Sequence, residues 1–212
     1  MIIDGQKTDL NPEVLARMGI PDELWRAKAD RIQERVRPII QRYVSDLSKN
    51  IADSVGFLFW GDNGTGKTGT AVCIAKEART LGATVYFTTV ASMFRAEYEK
   101  EMFDGAEGIT VSDRVLSVDL LILDEMGKEP SGESGFQERY LENLLRKRTG
   151  ARNRATIATS NLTMEKLRAF YSHSMLEALK GKMLPVKFIG ENQRDQNDES
   201  LRGRLLGMKR TG

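Results

Sequence analysis

Five short apolar runs recur along the chain of 212 residues, and longer stretches with helical spacing separate them. Near-continuous apolar runs of this length are typical of parallel strands that are covered on both faces. The runs lie at residues 55–60, 83–88, 119–123, 155–159 and 184–188. Helical periodicity is found at residues 67–81, 91–103, 133–148 and 163–180. The alternation predicts an α/β fold with a parallel five-stranded sheet and helices on both faces.

The segments on either side of this region differ from it in character. Residues 1–21 are interrupted by Pro12, Gly19 and Pro21 and are predicted to form an irregular arm. Residues 22–50 have helical spacing, which Pro38 interrupts, so two helices or a kink are expected there. The chain is therefore predicted to comprise three parts: an N-terminal arm and helical lead-in (1–50), a core (51–190) and a flexible polar tail (191–212).

The loop GDNGTGKT, residues 61–68, joins the first predicted strand to a predicted helix. It fits the pattern G-x-x-x-x-G-K-[ST], in which glycines let backbone N–H groups turn inward around phosphates. The helix that follows directs its positive end at the same phosphates. In this interpretation Lys67 reaches the β- and γ-phosphates of ATP. The predicted nucleotide contacts are Gly61, Asp62, Asn63, Gly64, Thr65, Gly66, Lys67, Thr68 and Gly69.

A carboxylate pair follows the third apolar run, in the stretch VDLLILDE at residues 118–125. Ligands bind at the carboxyl ends of parallel strands, so both carboxylates are expected beside the glycine-rich loop. Asp124 and the Thr68 hydroxyl are the predicted ligands of Mg²⁺, a cation that prefers oxygen. Glu125 is predicted to polarise the attacking water, and Lys67 and Asn161 complete the predicted catalytic set.

Asn161 ends the fourth apolar run, in the stretch TSN at residues 159–161. A polar side chain at this place is predicted to contact the γ-phosphate or the attacking water. Ser160 is a second candidate for the same role. A third interpretation is that Asn161 caps the helix that follows.

The composition narrows the function classes. The chain has 32 basic and 30 acidic residues, which leave a formal net charge of +2. This balance neither requires nor excludes a nucleic-acid partner. One Cys and one His cannot build a zinc site of Cys and His ligands. No apolar run is long enough for a membrane span, and we expect a cytoplasmic protein without a membrane partner.

Several motifs together resemble the AAA+ ATPases of the bacterial replicative-helicase loader group, the DnaC/DnaI type, and their IstB-like relatives. The resemblance covers roughly residues 18 to 190. The motifs that carry it are MGIPDELW (18–25), YFTTVASMF (86–94), DLLILDEMG (119–127) and ATIATSNL (155–162). The resemblance implies a P-loop NTPase fold of the AAA+/ASCE type, here with a small or truncated C-terminal lid. It also implies ATP and ADP as ligands, a slow or partner-stimulated ATPase activity, and ATP-dependent self-assembly.

The resemblance implies partners as well. A replicative helicase is the expected partner of a loader acting in DNA replication, and a transposase is the expected partner of an IstB-like transposition helper. Single-stranded DNA is expected at the segment 91–117, where Arg95, Lys100 and Arg114 are candidates. The chain has only about 20 residues before GIP, so we expect the loaders' N-terminal helicase-binding domain to be missing. The chain is then either an excised ATPase domain or a naturally short relative.

The chain departs from the group's pattern in its arginines. Ser174 and Ala178 stand about where an arginine finger is expected. An alternative source of a finger is the group of arginines before the fourth apolar run, which otherwise forms a basic rim. That group comprises Arg146, Arg148, Arg152 and Arg154. Without a finger, the chain is expected to be a nucleotide-gated interaction module with little turnover, which is a third hypothesis beside the loader and the transposition helper.

Overall fold

The computed structural model describes residues 10–102, 110–128 and 136–190, except for the side chains of residues 99–102 and 136. A single sheet forms the centre of this region. Its strands are β1 (Gly56–Gly61), β2 (Val85–Thr89), β3 (Leu120–Met126), β4 (Ala155–Ser160) and β5 (Met183–Phe188). Their order is β2-β3-β4-β1-β5, and every neighbouring pair is parallel. The predicted fold class is confirmed, and the lid and tail expected after residue 190 lie outside the described residues.

Helices connect consecutive strands. They are α4 (Lys67–Thr80), α5 (Val90–Met102), α6 (Val111–Ser117), α7 (Phe136–Gly150), α8 (Met164–Phe170) and α9 (His173–Leu179). The helical stretch predicted over 163–180 consists of two helices, because a second side-chain cap lies within it. Thr163 accepts a hydrogen bond from the backbone of Lys166, and Ser172 accepts one from Met175. Each cap satisfies backbone donors that a helix start leaves unpaired, so each begins its own helix.

The described segment before β1, residues 10–55, contains more helix than its prolines and glycines predict. The irregular arm expected over 1–21 was wrong in part, because α1 (Pro12–Arg17) lies within it. Asn11 caps α1, and Pro12 has a backbone angle suited to a first helical position. Pro38 likewise lies in the first turn of α2 (Arg37–Ser45) and does not kink it. The break comes at Asp46, before α3 (Leu47–Ala52).

Side chains alternate between two apolar clusters on the two faces of the sheet. In β3, Leu120 and Ile122 contribute to the cluster that contains residues of α1 to α4. Leu121 and Leu123 contribute to the cluster that contains residues of α5 to α9. This period of two is the geometry of a strand that is buried on both faces. The division of the chain at residue 50 stays a prediction, although Leu15 already belongs to the first cluster.

The N-terminal segment covers the outer edge of β2. The backbone N–H of Phe87 donates to the carbonyl of Met18 at 2.7 Å. Arg114 donates to the carbonyl of Arg17 at 2.7 Å and lies over the ring of Tyr86. An uncovered edge strand presents unpaired backbone groups, and this segment pairs one of them, the N–H of Phe87.

Gly19→Ala is expected to lower the free energy of unfolding by about 2–4 kcal/mol. Gly19 has φ +77, and a Cβ atom there lies 2.4 Å from the carbonyl oxygen of Phe87. Gly82→Ala is the matched control, because Gly82 has φ +88 but open space around it. The control should lose only the backbone contribution of about 1 kcal/mol. Urea unfolding measures both; equal losses would show that contact with β2 is unimportant.

Candidate functional site

The glycine-rich loop connects the end of β1 to the start of α4, as predicted. Gly61 pairs with Phe188 of β5, and a Cβ atom at Gly61 would lie 2.1 Å from the carbonyl oxygen of Phe188. The first glycine of the loop is therefore required by the neighbouring strand. Gly66 is the N-cap of α4 and has a left-handed backbone with φ +90. The loop thus ends at the positive end of a 14-residue helix, which favours phosphate.

Lys67 lies inside this loop, with 5% of its surface exposed. Its Nζ atom donates to the carbonyl oxygens of Gly61 at 2.7 Å and Asp62 at 2.6 Å. A third, longer contact of 3.5 Å is made to the hydroxyl of Thr65. Backbone oxygens carry only partial charges, so an anion at the loop would offer the ammonium group a stronger partner.

Thr68 and Asp124 meet across the gap between α4 and β3. The Thr68 hydroxyl donates to Oδ1 of Asp124 at 2.9 Å, although 56 residues separate the two in sequence. Asp124 is 7% exposed. Burial raises the pKa of Asp124, and the hydrogen bonds from Thr159 and Thr68 oppose this increase. The structure therefore brings together the two predicted magnesium ligands.

The chemistry of these groups fits a hard divalent cation. One hydroxyl oxygen and one buried carboxylate are oxygen donors of the kind that Mg²⁺ selects. Within the described ranges, no group of three or more His, Cys, Asp or Glu side chains could hold a metal ion. Mg²⁺ commonly uses one or two carboxylates and completes its shell with substrate phosphates and water. The site is therefore suited to a cation that arrives with a nucleotide.

Glu125 has an unusual backbone for a residue in a strand, with φ +63. The register of β3 against β4 shifts between Leu123 and Met126, which marks a bulge at this point. The Glu125 carboxylate is partly exposed and pairs with Lys128 at 2.7 Å. Left-handed angles at non-glycine residues are costly and recur at functional sites. The separate roles predicted for Asp124 and Glu125 stay predictions.

The three interpretations of the TSN stretch fare differently. Thr163 caps α8, so the cap interpretation of Asn161 was wrong. Ser160 is fully buried, where its hydroxyl donates to the carbonyl of Met126 and accepts from the N–H of Leu162. Those two bonds give Ser160 a structural role. Asn161 follows β4, which lies between β3 and β1, and its contact with phosphate stays a prediction.

The arginines before β4 were expected to supply a finger or a basic rim, and Arg148 does neither. Its side chain is 1% exposed and donates to the carbonyl oxygens of Val115 and Ala155. Arg154 bonds to the carbonyl of Leu116 and lies 3.5 Å from Asp119. These partners lie near the first residues of β3 and β4. The glycine-rich loop lies at the other ends of the parallel strands, after the last residue of β1. Burial lowers the pKa of Arg148 to about 9.

The other positions considered for an arginine finger and for DNA contact lie in three helices, α5, α6 and α9. Ser174 hydrogen-bonds to Arg146 of α7, and Ala178 lies in α9. Arg114 donates to the N-terminal segment, and its contact with DNA stays a prediction. Arg95 is exposed on α5, and the side chain of Lys100 lies outside the described residues.

Three further residues contact the site and were not among the predicted site residues. The side chain of Gln33 donates to the carbonyl of Thr65 at 2.9 Å, which braces the loop from the N-terminal segment. Lys128 pairs with Glu125, and Thr159 contacts Asp124 at 2.5 Å. Thr159 was recognisable only as part of TSN, and Gln33 is brought to the loop by tertiary packing alone. Within the described residues, no helix combines the length and apolar character needed to cross a bilayer.

The parallel sheet, the loop and the carboxylates define a class: this is a P-loop protein with the α/β fold of the AAA+ ATPases. Residues 33–196 match the family described as IstB-like ATP binding protein. The chain belongs to that family. The resemblance seen in the sequence is confirmed, and nucleotide binding is a property of the family.

Individual relatives agree with this assignment. The replicative helicase loader DnaC of Escherichia coli (strain K12) is 27% identical over 168 residues, which cover 79% of this chain and 63% of that protein. The chain thus spans less than two thirds of the length of this curated relative. A crystal structure of the DnaC helicase loader has a TM-score of 0.68 at 20% identity, covering 80% of this chain and 100% of the other. A crystal structure of DnaI has a TM-score of 0.65 at 23% identity, covering 82% of this chain and 94% of the other. At these identities the two structures show the shared fold.

Proposed function

We propose that this chain is an ATP-hydrolysing switch that acts as a helicase-loader-like factor in DNA replication. The observation that carries the proposal is the contact between Thr68 and Asp124 beside the buried Lys67. It joins a phosphate-binding loop to a metal-binding carboxylate in one small space. The similarity to a replicative helicase loader supports the choice of process.

Each site residue has a role in the proposal. Residues 61–69 hold the triphosphate of ATP through backbone N–H groups, and Lys67 exchanges its carbonyl partners for phosphate oxygens. Thr68 and Asp124 hold Mg²⁺, which supplies positive charge to the phosphates. Glu125 orients and polarises the attacking water, and Asn161 contacts the γ-phosphate.

Turnover in this proposal is slow and stimulated by a partner. An arginine finger raises the rate about 10³–10⁵-fold in P-loop NTPases that use one. Ser174 and Ala178 supply no such group, and Arg148 is buried far from the loop. Replacement of ADP by ATP controls engagement of single-stranded DNA, of a replicative helicase or of a second copy of the chain.

A second candidate function is a transposition helper, and family membership favours it. The loader and the transposition helper would use the same ATP site, so the two functions differ only in the partner. A transposase is the expected partner of the helper, and a replicative helicase is the expected partner of the loader. A nucleotide-gated module with little turnover is favoured by one observation, the ion pair that holds Glu125 against Lys128.

Glu125→Gln is expected to reduce ATP hydrolysis at least about 100-fold while leaving ATP affinity within about threefold of wild type. The reason is that the amide cannot take a proton from water but retains the size of the carboxylate. Phosphate release and a fluorescent ATP analogue measure the two quantities. Glu165→Gln, at an exposed position of α8, is the control and should change neither. Wild-type hydrolysis that Glu125→Gln leaves unchanged would contradict the assigned role.

The partner is tested with the Glu125→Gln variant loaded with ATP, which should hold the ATP-dependent state. Purified replicative helicase and purified transposase from the same genome are each offered to the variant, with ATP or ADP. Retention of the helicase with ATP alone supports the loader, and retention of the transposase supports the helper. Equal retention with both nucleotides, or none, contradicts an ATP-controlled partner.

A further inference from the structure

Thr159 is a buried residue of β4, with 2% of its surface exposed. Its hydroxyl donates to Oδ1 of Asp124 at 2.5 Å. The hydroxyl oxygen of Thr159 in turn accepts the backbone N–H of Glu125 at 3.1 Å. One hydroxyl group therefore contacts both a predicted magnesium ligand and the backbone of the residue predicted to activate water.

The bulge in β3 explains why a hydroxyl is needed at this point. The ladder between β3 and β4 is regular up to Leu123 and resumes in a shifted register at Met126. The left-handed backbone of Glu125 leaves the regular ladder, so its N–H needs another acceptor. The Thr159 hydroxyl supplies that acceptor from the neighbouring strand. It thereby supports a backbone angle that is unfavourable for a side chain such as glutamate.

The second bond of this hydroxyl orients a carboxylate. Thr68 and Thr159 both donate to Oδ1 of Asp124, from α4 and from β4 respectively. Two donors on one oxygen restrict rotation of the carboxyl group and offset part of the cost of burying its charge. Thr68 belongs to the nucleotide loop and is itself a predicted metal ligand. Thr159 belongs to β4, so its bond to Asp124 comes from the sheet and not from the nucleotide loop.

We propose that Thr159 is a positioning residue, whose hydroxyl places the Asp124 carboxylate for Mg²⁺ and holds the backbone of Glu125 in its left-handed turn. This inference rests on the proposed function, because it assumes that the site takes ATP with Mg²⁺. It assigns to the hydroxyl an effect on the metal-dependent part of nucleotide binding. A hydroxyl that only stabilised the sheet would affect binding with and without the metal to the same extent.

Thr159→Val tests this because valine keeps the branched shape and removes the hydroxyl. ATP affinity is measured in EDTA and across a Mg²⁺ titration, with a fluorescent ATP analogue. We expect the half-saturating Mg²⁺ concentration to rise about 10-fold or more, which is the loss of one hydrogen bond to a charged group. The affinity in EDTA should stay within about twofold of wild type.

Three further variants complete the experiment. Thr159→Ser retains the hydroxyl and should restore the Mg²⁺ dependence to within about threefold of wild type. Thr88→Val is the matched control, because Thr88 is a buried threonine of β2 whose hydroxyl donates to the carbonyl of Thr89 at 3.2 Å. It should leave the Mg²⁺ dependence unchanged. Thr159→Ala replaces Thr159→Val if the valine variant does not fold, with the same expected increase.

The outcomes separate this inference from the proposed function. Wild-type protein that binds no ATP overturns the proposed function, and the inference with it. Wild-type protein that binds ATP, with a Thr159→Val variant whose Mg²⁺ dependence is unchanged, overturns the inference alone. The inference is also overturned if the valine and serine variants lose ATP affinity equally in EDTA and in Mg²⁺, since that result indicates a structural role.

Discussion

Lys67→Ala is expected to weaken ATP binding by about 100-fold or more and to remove the increase in melting temperature that ATP produces. The ammonium group of Lys67 is buried and donates to backbone oxygens, which are weaker partners than phosphate. Each hydrogen bond between charged groups contributes about 1.5–3 kcal/mol, and two such bonds correspond to the expected loss. Calorimetric titration with ATP and Mg²⁺ measures the affinity directly.

Lys49→Ala is the matched control for this substitution. Lys49 is exposed on α3, so its removal should leave ATP affinity within about twofold of wild type. The stability of Lys67→Ala needs its own measurement, because the variant also loses the bonds to Gly61 and Asp62. A folded Lys67→Ala protein that binds ATP within threefold of wild type would contradict the nucleotide site itself.

The sheet and the loop were predictable because both depend on local signals. Four or more apolar residues in succession, as in 120–123, need cover on both faces, and a parallel sheet supplies it. All five predicted strands overlap the observed ones, with ends that differ by at most three residues. The loop was recognisable because Gly61 and Gly66 hold backbone positions that other residues rarely adopt.

The errors concern features that depend on tertiary contacts. The helix α1 is short, and its apolar residue Leu15 is stabilised by packing on the sheet, which a window of sequence does not reveal. The chain between α8 and α9 turns at Tyr171, which is buried and whose hydroxyl accepts the N–H of Gly127. Apolar spacing continues across this turn, so periodicity alone predicts one helix.

The candidate site shows the same division between local and distant signals. Asp124 follows the apolar run of β3 and could be paired with Thr68 from the order of the motifs alone. The contribution of Thr159 depends on the bulge at Glu125, which shifts the register of β3 against β4. The pattern of apolar residues does not reveal this shift. The roles of Glu125 and Asn161 remain predictions, which measurements of ATP hydrolysis would test.

Arg148 is the strongest example of a residue whose type misleads. An arginine within a run of basic residues is expected on the surface. Here the side chain crosses the base of the sheet, where Nη1 donates to Val115 at 2.6 Å, Nη2 to Ala155 at 2.7 Å, and Nε to the Thr156 hydroxyl at 2.9 Å. It therefore joins α7 to the segments that begin β3 and β4.

Arg148→Ala is expected to lower the free energy of unfolding by about 3–5 kcal/mol, because it leaves buried acceptors unpaired and opens a cavity. Arg146→Ala, on the exposed face of the same helix, should cost at most about 1 kcal/mol. Urea unfolding measures both variants. Arg148→Lys keeps the charge but not the planar fork, so its loss should fall between the two and remains measurable if the alanine variant does not fold. A loss below 1 kcal/mol for Arg148→Ala would show that the buried guanidinium contributes little to joining the helix and the sheet.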